Sequence, residues 1–368
     1  MARRKNEARW LESRGMWRLD VQKNNHRRSF YSSLPGRKGK LEAERKADDW
    51  LADWAMDDMK FQELWDRYLV SIDTSESSAY YVKQEQIGRM WLLPVLGAYW
   101  TSDITIQKMQ DCVSAPYKKK GLSKKTCFNV RGALSAAYTF ARKNRVSMER
   151  PDGLLPPKGA SVKERVILQP DDLRKLFSTD MITNRNKEKV AFYIHAWRFM
   201  VLTGFRRGET AGMKKQDVRD EKLYPVRSIN ALGEETKGKT KNAKRGFAIY
   251  DRLQGVLDDQ AAMLKKMGII SPWLFPAPDG SRSDPRSISR QWVIYREQHG
   301  MKTSIHELRH TMVSIVKGDV PDSLLQPIIG HAKSMDTQGV YGHEVEGEDQ
   351  RVAGLIATAF NRVLDAEK

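Results

Sequence analysis

A stretch rich in proline and glycine divides the chain into two helical regions. Residues 148–160 read Met-Glu-Arg-Pro-Asp-Gly-Leu-Leu-Pro-Pro-Lys-Gly-Ala. Because proline lacks a backbone N–H and glycine is the residue that loses most entropy when ordered, a regular element is not expected to continue through this segment. We therefore predict an interdomain linker at 151–163, with a separate core on each side of it.

The N-terminal part of the chain has the pattern of a small sheet. Residues 17–21 and 28–34 alternate like strands, Asn24-Asn25 between them suits a turn, and 41–54 has helical spacing. A sheet and helix that carry many lysines and arginines suit contact with a DNA groove or backbone, although a small solvated β-element would look similar. The pattern predicts a basic domain at 1–55 that could bind DNA.

The next region, 57–150, is predicted to be a helical domain. The segments 61–71, 78–92 and 124–145 carry apolar residues at helical spacing. The region has little strand pattern, and its scattered lysines are compatible with an ordinary solvated face.

Beyond the linker, 164–345 is predicted to form a mixed, mostly helical domain with a small β-element that ends in a strand at 245–250. A terminal helix follows in 346–368. One face of that helix is apolar, through Val352, Leu355, Ile356, Ala359, Phe360, Val363 and Leu364. The stripe suits packing on its own domain or docking on another copy of the chain. The whole chain is thus expected to be mainly α with small β elements.

Charge and cysteine content narrow the class of function. The chain has 64 Lys and Arg against 46 Asp and Glu, a formal net charge of +18. Such a surplus favours a polyanionic partner, with nucleic acid ahead of a membrane surface or a merely basic protein. Two cysteines cannot build a disulfide framework or a four-cysteine zinc site. With no signal peptide and no apolar run of membrane-spanning length, we expect a cytoplasmic protein.

Four separated patches carry groups that suit chemistry on an anion. In the first, Leu202-Thr-Gly-Phe-Arg-Arg-Gly-Glu209, Gly204 is predicted to end one helix and Arg206 to begin the next. An arginine beside the free N–H groups of a helix start is a good anion site, and Glu209 is placed to hold its side chain. A surface arginine near a helix cap would give the same pattern.

The second patch is the lysine-rich segment 235–245, predicted to be a hairpin whose tip turns at Lys241-Asn242-Ala243 and whose second strand is 245–250. A lysine on such a hairpin can donate a proton to a leaving oxygen. Four lysines compete for that role, and general phosphate contact is the alternative.

The third patch is Ser304-Ile-His-Glu-Leu-Arg-His-Thr311. Ser304 and Glu307 fit a capping box, which predicts a helix from Ser304 to about 317–318 with His306 and Arg309 on one face. The same residues match the H-E-x-x-H zinc pattern of His306 and His310. That alternative needs a third ligand and places the cationic Arg309 beside the metal.

The fourth patch is Gly330-His331, with Tyr341 ten residues later. Alone, each is an ordinary structural residue. Together and in order, the four patches resemble the tyrosine recombinase (phage integrase) family, with motifs over about 165–345 and an architectural likeness before that. The likeness implies that 1–55 is a basic arm-type DNA-binding domain, that 57–150 is a helical core-binding (SAM-like) domain and that 164–345 is the catalytic domain.

The resemblance implies a role for each matched residue. Arg206 and Arg309 would grip the non-bridging oxygens of the scissile phosphate, with Glu209 supporting Arg206. The nucleophile would be Tyr341, without a metal ion or other cofactor. His331 would be a third donor to the phosphate, and His306 would bond to the phosphate or assist proton transfer. Lys239, with Lys241 next, would be the general acid.

The resemblance also implies a biological role. The chain would be a site-specific recombinase of a prophage or mobile element, working through a 3′-phosphotyrosyl intermediate in integration and excision. Its partner would be double-stranded DNA with attachment-type sites, bound by a homotetramer in a bacterial cytoplasm at the nucleoid. An excision factor or host DNA-bending protein would be the accessory partner. A host resolution recombinase, a topoisomerase-like enzyme and a DNA-binding regulator without catalysis are the alternatives.

Overall fold

The computed structural model divides the chain into two compact units, Met1–Lys163 and Glu164–Lys368. Both are mostly helical and carry small antiparallel sheets, so the predicted fold class is confirmed. The structure describes residues 6–23, 26–53, 58–73, 76–162, 164–184, 186–237, 246–329 and 347–366. Within these residues, no helix combines the length and the apolar character that crossing a membrane requires.

The N-terminal sheet has three antiparallel strands, β1 (Arg9–Leu11), β2 (Met16–Lys23) and β3 (His26–Ser32), in the order β1-β2-β3. Helix α1 (Gly36–Asp53) packs against one face of it. Alternate residues of β2 enter the core, where Leu19 and Val21 meet the small side chains and Trp50 of α1. The two predicted strands are confirmed, and β1 is an additional one.

Helix α1 begins at Gly36, earlier than the predicted start at Leu41. Pro35, Gly36 and Gly39 are residue types that often form turns, but the helix includes both glycines. Gly39 instead permits a close approach inside the helix, since a Cβ there would lie 1.8 Å from the backbone oxygen of Leu34. The glycine is therefore a packing residue of the helix rather than its limit.

The second core of this unit is built mainly from helices. Its elements are α2 (Phe61–Asp73), α3 (Ser78–Ile87), a π-helical turn (Gly88–Leu92), α4 (Leu93–Leu96), α5 (Ile106–Lys120) and α6 (Lys124–Lys143). The helices predicted at 61–71, 78–92 and 124–145 are confirmed. Cys112 and Cys127 are free and buried in this core, as small apolar side chains.

The second unit surrounds a central helix that is buried along its whole length. Its elements are α7 (Pro170–Ser178), β4 (Met181–Asn184), β5 (Lys187–Val190), α8 (Ile194–Thr203), α9 (Arg207–Gly212), β6 (Val218–Arg219), β7 (Lys222–Leu223), β8 (Arg227–Ile229), β9 (Glu235–Lys237), β10 (Phe247–Ala248), α10 (Asp251–Lys266), α11 (Pro285–Gln298), α12 (Glu307–Val316), α13 (Asp322–Ile329) and α14 (Glu348–Leu364). Every residue of α8 is buried, and α12 packs against both α8 and α14. The core therefore holds the ends of α8 and α12 in fixed positions.

The β-elements of this unit pair differently from the prediction. Strand β9 pairs with β8, and β10 pairs with β7 in a sheet of order β10-β7-β6. The expected return strand, 245–250, is thus reduced to Phe247–Ala248 and joins an earlier part of the chain. The predicted hairpin tip, 241–243, lies outside the described residues.

The C-terminal helix α14 packs on its own unit. Val352, Ile356 and Phe360 of its predicted apolar stripe are buried in the core of residues 168–360. Arg252 of α10 donates to Asn361 and Asp365, at 2.9 and 2.7 Å. In this structure the stripe is therefore covered within the same chain.

Gly88 should be intolerant of any side chain, because a Cβ there would lie 2.1 Å from the indole nitrogen of the fully buried Trp65. We expect Gly88→Ala to lower the free energy of unfolding by about 1–3 kcal/mol through overpacking, measured by urea unfolding. The matched control is Gly132→Ala on the exposed side of α6, where a Cβ meets nothing within 4 Å. That change should raise stability by about 0.5–1 kcal/mol, and equal effects at both positions would contradict the packing argument.

Candidate active site

Arg206 is held at the turn between α8 and α9 by Glu209. Helix α8 ends at Thr203 and is capped by Gly204, which has a left-handed φ of 68°, and Arg206 is the residue before α9. The Glu209 carboxylate accepts from the Arg206 backbone N–H at 2.9 Å and from its guanidinium at 2.8 Å. Glu209 is buried while the Arg206 side chain is 43% exposed. The turn thus presents an oriented cation to solvent, and its predicted form is confirmed.

Arg309 on α12 reaches the same turn. Its Nη1 donates to the backbone oxygen of Gly204 at 2.8 Å, across 105 positions of sequence. The arginine is 3% exposed. Gly204 lies two residues before Arg206, so this bond brings the two arginines of the predicted pair to one place.

The imidazole of His306 lies beside this pair. Burial lowers its pKa from 6.5, and the charges of His310, Arg309, Arg206 and Arg165 lower it further. His306 is therefore neutral at pH 7, with one ring nitrogen to donate and one to accept.

His310 packs edge-on against His306, with ring centroids 5.1 Å apart and an interplanar angle of 88°. Its pKa is also lowered, first by burial and then by Arg165 and Arg309. Its Nε2 is buried and makes no hydrogen bond within the described part of the chain. The two imidazoles are thus uncharged groups that lie among arginine side chains.

Glu307 fixes the chain that leads into α12. Its carboxylate accepts from the backbone N–H of Ser304 at 2.5 Å, which is half of the predicted capping box. The helix itself begins at Glu307 and ends at Val316, so the predicted bounds from Ser304 to 317–318 were too wide. The residues 304–306 form a tighter turn, closed by the bond from the Glu307 N–H to the Ser304 oxygen at 3.0 Å.

The zinc alternative finds little support in this arrangement. Arg309 and Arg165 act on both imidazoles of the H-E-x-x-H pattern, and positive charges disfavour a bound cation. Glu307, the general base of that pattern, is engaged with backbone N–H groups. Among the described residues, no group of three His, Cys, Asp or Glu side chains is placed to hold a metal ion.

The remaining predicted site residues, Lys239, Lys241, His331 and Tyr341, lie outside the described residues. The structure adds Arg165 and His310 to the neighbourhood. His310 was visible in the sequence only as a zinc ligand, and Arg165 had no motif. The position of Arg165 depends on hydrogen bonds between residues 166–168 and α12, which no local sequence pattern predicts.

Paired arginines beside an imidazole are donor groups of the kind that suit a phosphate anion. Residues 168–348 match the sequence model of the phage integrase family. The chain belongs to this family, which makes it a site-specific recombinase of DNA.

Solved integrases have the same fold. The Tn1549 transposon integrase in complex with transposon right end DNA has a TM-score of 0.62 at 17% identity, over 80% of this chain and 98% of that one. A lambda integrase dimer (residues 75–356) bound to a COC′ core site has 0.57 at 18%, over 78% and 98%. A lambda integrase tetramer bound to a Holliday junction has 0.57 at 16%, over 94% and 99%. No curated protein sequence matches the chain.

The lowered histidine pKa values predict how stability depends on pH. The unfolded chain takes up protons near the ordinary value of 6.5, before folded His306 and His310 do. The contribution of these two histidines to the free energy of unfolding is therefore complete above about pH 6.5. It is lost as the pH falls from there through their pKa values in the folded protein. Urea unfolding between pH 7.5 and 5 should show this fall, and NMR should give titration midpoints below 6.5. Midpoints of 6.5 or higher would contradict the proposed environment; the protein in urea is the control.

Proposed function

We propose that the chain cleaves and rejoins DNA through a 3′-phosphotyrosyl intermediate on Tyr341, and so integrates and excises a phage or mobile element. The observation that supports this most is the Arg309–Gly204 bond, which places a second guanidinium at the turn that carries Arg206. Family membership of 168–348 supplies the reaction class.

The two arginines suit the transition state of phosphoryl transfer. Negative charge gathers on the non-bridging oxygens of the phosphate, and preorganised donors aimed at those oxygens stabilise it most. Arg206 is oriented by Glu209, and Arg309 by Gly204. Because both are held before DNA arrives, little reorganisation is needed during the reaction.

The proposed step begins when the Tyr341 oxygen attacks phosphorus and the bond to the 5′-oxygen breaks. Neutral His306 is suited to take the tyrosine proton or to donate to a phosphate oxygen. Lys239, with Lys241 as the alternative, would protonate the departing 5′-oxygen, and His331 would donate to the phosphate. A 5′-hydroxyl from a second site then reverses the step, since the phosphotyrosyl bond preserves the energy of the phosphodiester.

The N-terminal sheet is proposed to bind arm-type DNA sites. On its face opposite α1, Asp20 accepts from Arg18 at 2.9 Å and from Arg27 at 3.1 Å. Hydrogen bonds from Ser29 and these arginines lower the pKa of Asp20 to about 2. The carboxylate thus orients two arginines on one face, a geometry suited to groove or phosphate contact.

The assembly proposed is a homotetramer on two DNA sites. The arm-type domain 1–55 and the core-binding domain 57–150 would hold the duplex, and 151–163 would link them to the catalytic domain 164–345. The segment 346–368, whose helix α14 packs on its own unit, would be the part that docks on a neighbour. A solved lambda integrase tetramer bound to a Holliday junction has this fold. An excision or DNA-bending protein would set direction, and the bacterial nucleoid would be the place of action.

Tyr341→Phe should abolish covalent attachment while leaving DNA binding intact. The measurement is a protein–DNA adduct that resists denaturing electrophoresis, formed on a nicked suicide duplex that carries the element's attachment site. Gel shifts of the same duplex provide the control for binding. An adduct that persists in the variant would place the nucleophile elsewhere.

Arg206→Ala should slow adduct formation by ~10²–10³ because one preorganised donor is lost. Its neighbour Arg207 offers a matched control, since it is exposed and donates to Ser289 at 2.9 Å. Arg207→Ala should change the single-turnover rate far less. Equal losses in the two variants would show that general positive charge, and not the orientation of Arg206, matters.

A further inference from the structure

Two side chains of α12 accept hydrogen bonds from the backbone of residues 166–168, near the start of the second unit. The Thr311 hydroxyl accepts from the buried backbone N–H of Leu168 at 3.0 Å and donates to the backbone oxygen of Glu307 at 2.8 Å. The Glu307 carboxylate accepts from the backbone N–H of Val166 at 3.4 Å. Because 307 and 311 lie one turn apart, the segment 166–168 lies along the helix that carries Arg309 and that His306 directly precedes. We call these contacts the α12 clamp.

The clamp determines where Arg165 lies. This arginine directly precedes Val166, whose partner Glu307 directly follows His306. Its charge acts on both His306 and His310, while its own side chain is exposed. No carboxylate of the described residues forms an ion pair with it. Arg165 is therefore a solvent-accessible cation beside the two imidazoles.

A third positive charge at this place is unfavourable unless an anion is bound. Arg206 and Arg309 already repel a further cation, and Arg165 has freedom to extend into water. The clamp nevertheless keeps its backbone at the site, at the cost of ordering an extended segment. An exposed arginine that lies beside other cations, and that has no ion-pair partner among the described residues, is the feature expected of a phosphate-binding surface.

We propose that Arg165 is a further phosphate-binding residue of this site, and that the α12 clamp positions it on a backbone phosphate of the bound duplex. The proposal rests on the function proposed above and extends it by one contact. Arg165 supplies a donor from outside the predicted motifs, and Thr311 and Glu307 are positioning residues that act through 166–168.

The test measures the affinity of the full chain for a short fluorescent duplex across a range of KCl concentrations. Each phosphate contact contributes ~0.9 to the slope of log affinity against log salt. Arg165→Ala should therefore reduce the slope by ~0.9, and Arg165→Lys should retain it. Lys317→Ala, which removes an exposed cation after the far end of α12, should retain the wild-type slope.

The clamp is tested with Thr311→Val and Thr311→Ser. The valine removes the acceptor of the Leu168 N–H and should reduce the slope as Arg165→Ala does, whereas serine keeps the hydroxyl and should restore it. Thermal unfolding verifies that each variant is folded.

The measurements distinguish a failure of the Arg165 contact, a failure of the clamp and a failure of DNA binding itself. A wild-type slope in Arg165→Ala would overturn the phosphate contact, and a loss with Arg165→Ala but not with Thr311→Val would overturn the role of the clamp. A flat profile in the wild-type chain would instead contradict DNA binding itself.

Discussion

The hydrogen bond from Arg309 to the backbone oxygen of Gly204 is the interaction on which the site depends. A buried guanidinium is costly unless its donors are satisfied, and this bond, at 2.8 Å, satisfies one of them. The carbonyl is available because α8 ends there, with Gly204 in the left-handed conformation that glycine adopts without strain. The same contact therefore joins α12 to the α8–α9 turn and places Arg309 near Arg206.

Gathering positive charge in one place has a consequence for the free protein. Burial lowers the pKa of His306, and the charges of His310, Arg309, Arg206 and Arg165 lower it further, as expected where positive charges converge. Burial of Glu209 and Glu307 provides fixed negative groups behind the site that orient the chain without neutralising its open side. A bound phosphodiester would relieve this repulsion, so DNA binding and the stability of the second unit should be linked.

Local patterns predicted the elements well where side-chain periodicity and turn chemistry agreed. The strands of the N-terminal sheet, the helices of the second core and the turn at Gly204 all follow from such patterns. Three features did not. Gly39 is accommodated within α1 by a close approach to Leu34. Strand β10 pairs with β7 and not with β9, because strand pairing is settled by long-range contacts. Helix α12 begins after a tight turn that the Glu307 carboxylate closes.

The sequence by itself determined which groups could form the site. The motifs around Arg206 and His306 identify the residue types that phosphate chemistry requires, and their order along the chain indicates the family. Only the tertiary structure decided that Arg309 meets Gly204 and that Arg165 joins the site, since both depend on hydrogen bonds between segments more than 100 positions apart. Such contacts leave no local periodicity, because the partner of each group is chosen by the packing of α8 and α12 and not by its neighbours in sequence.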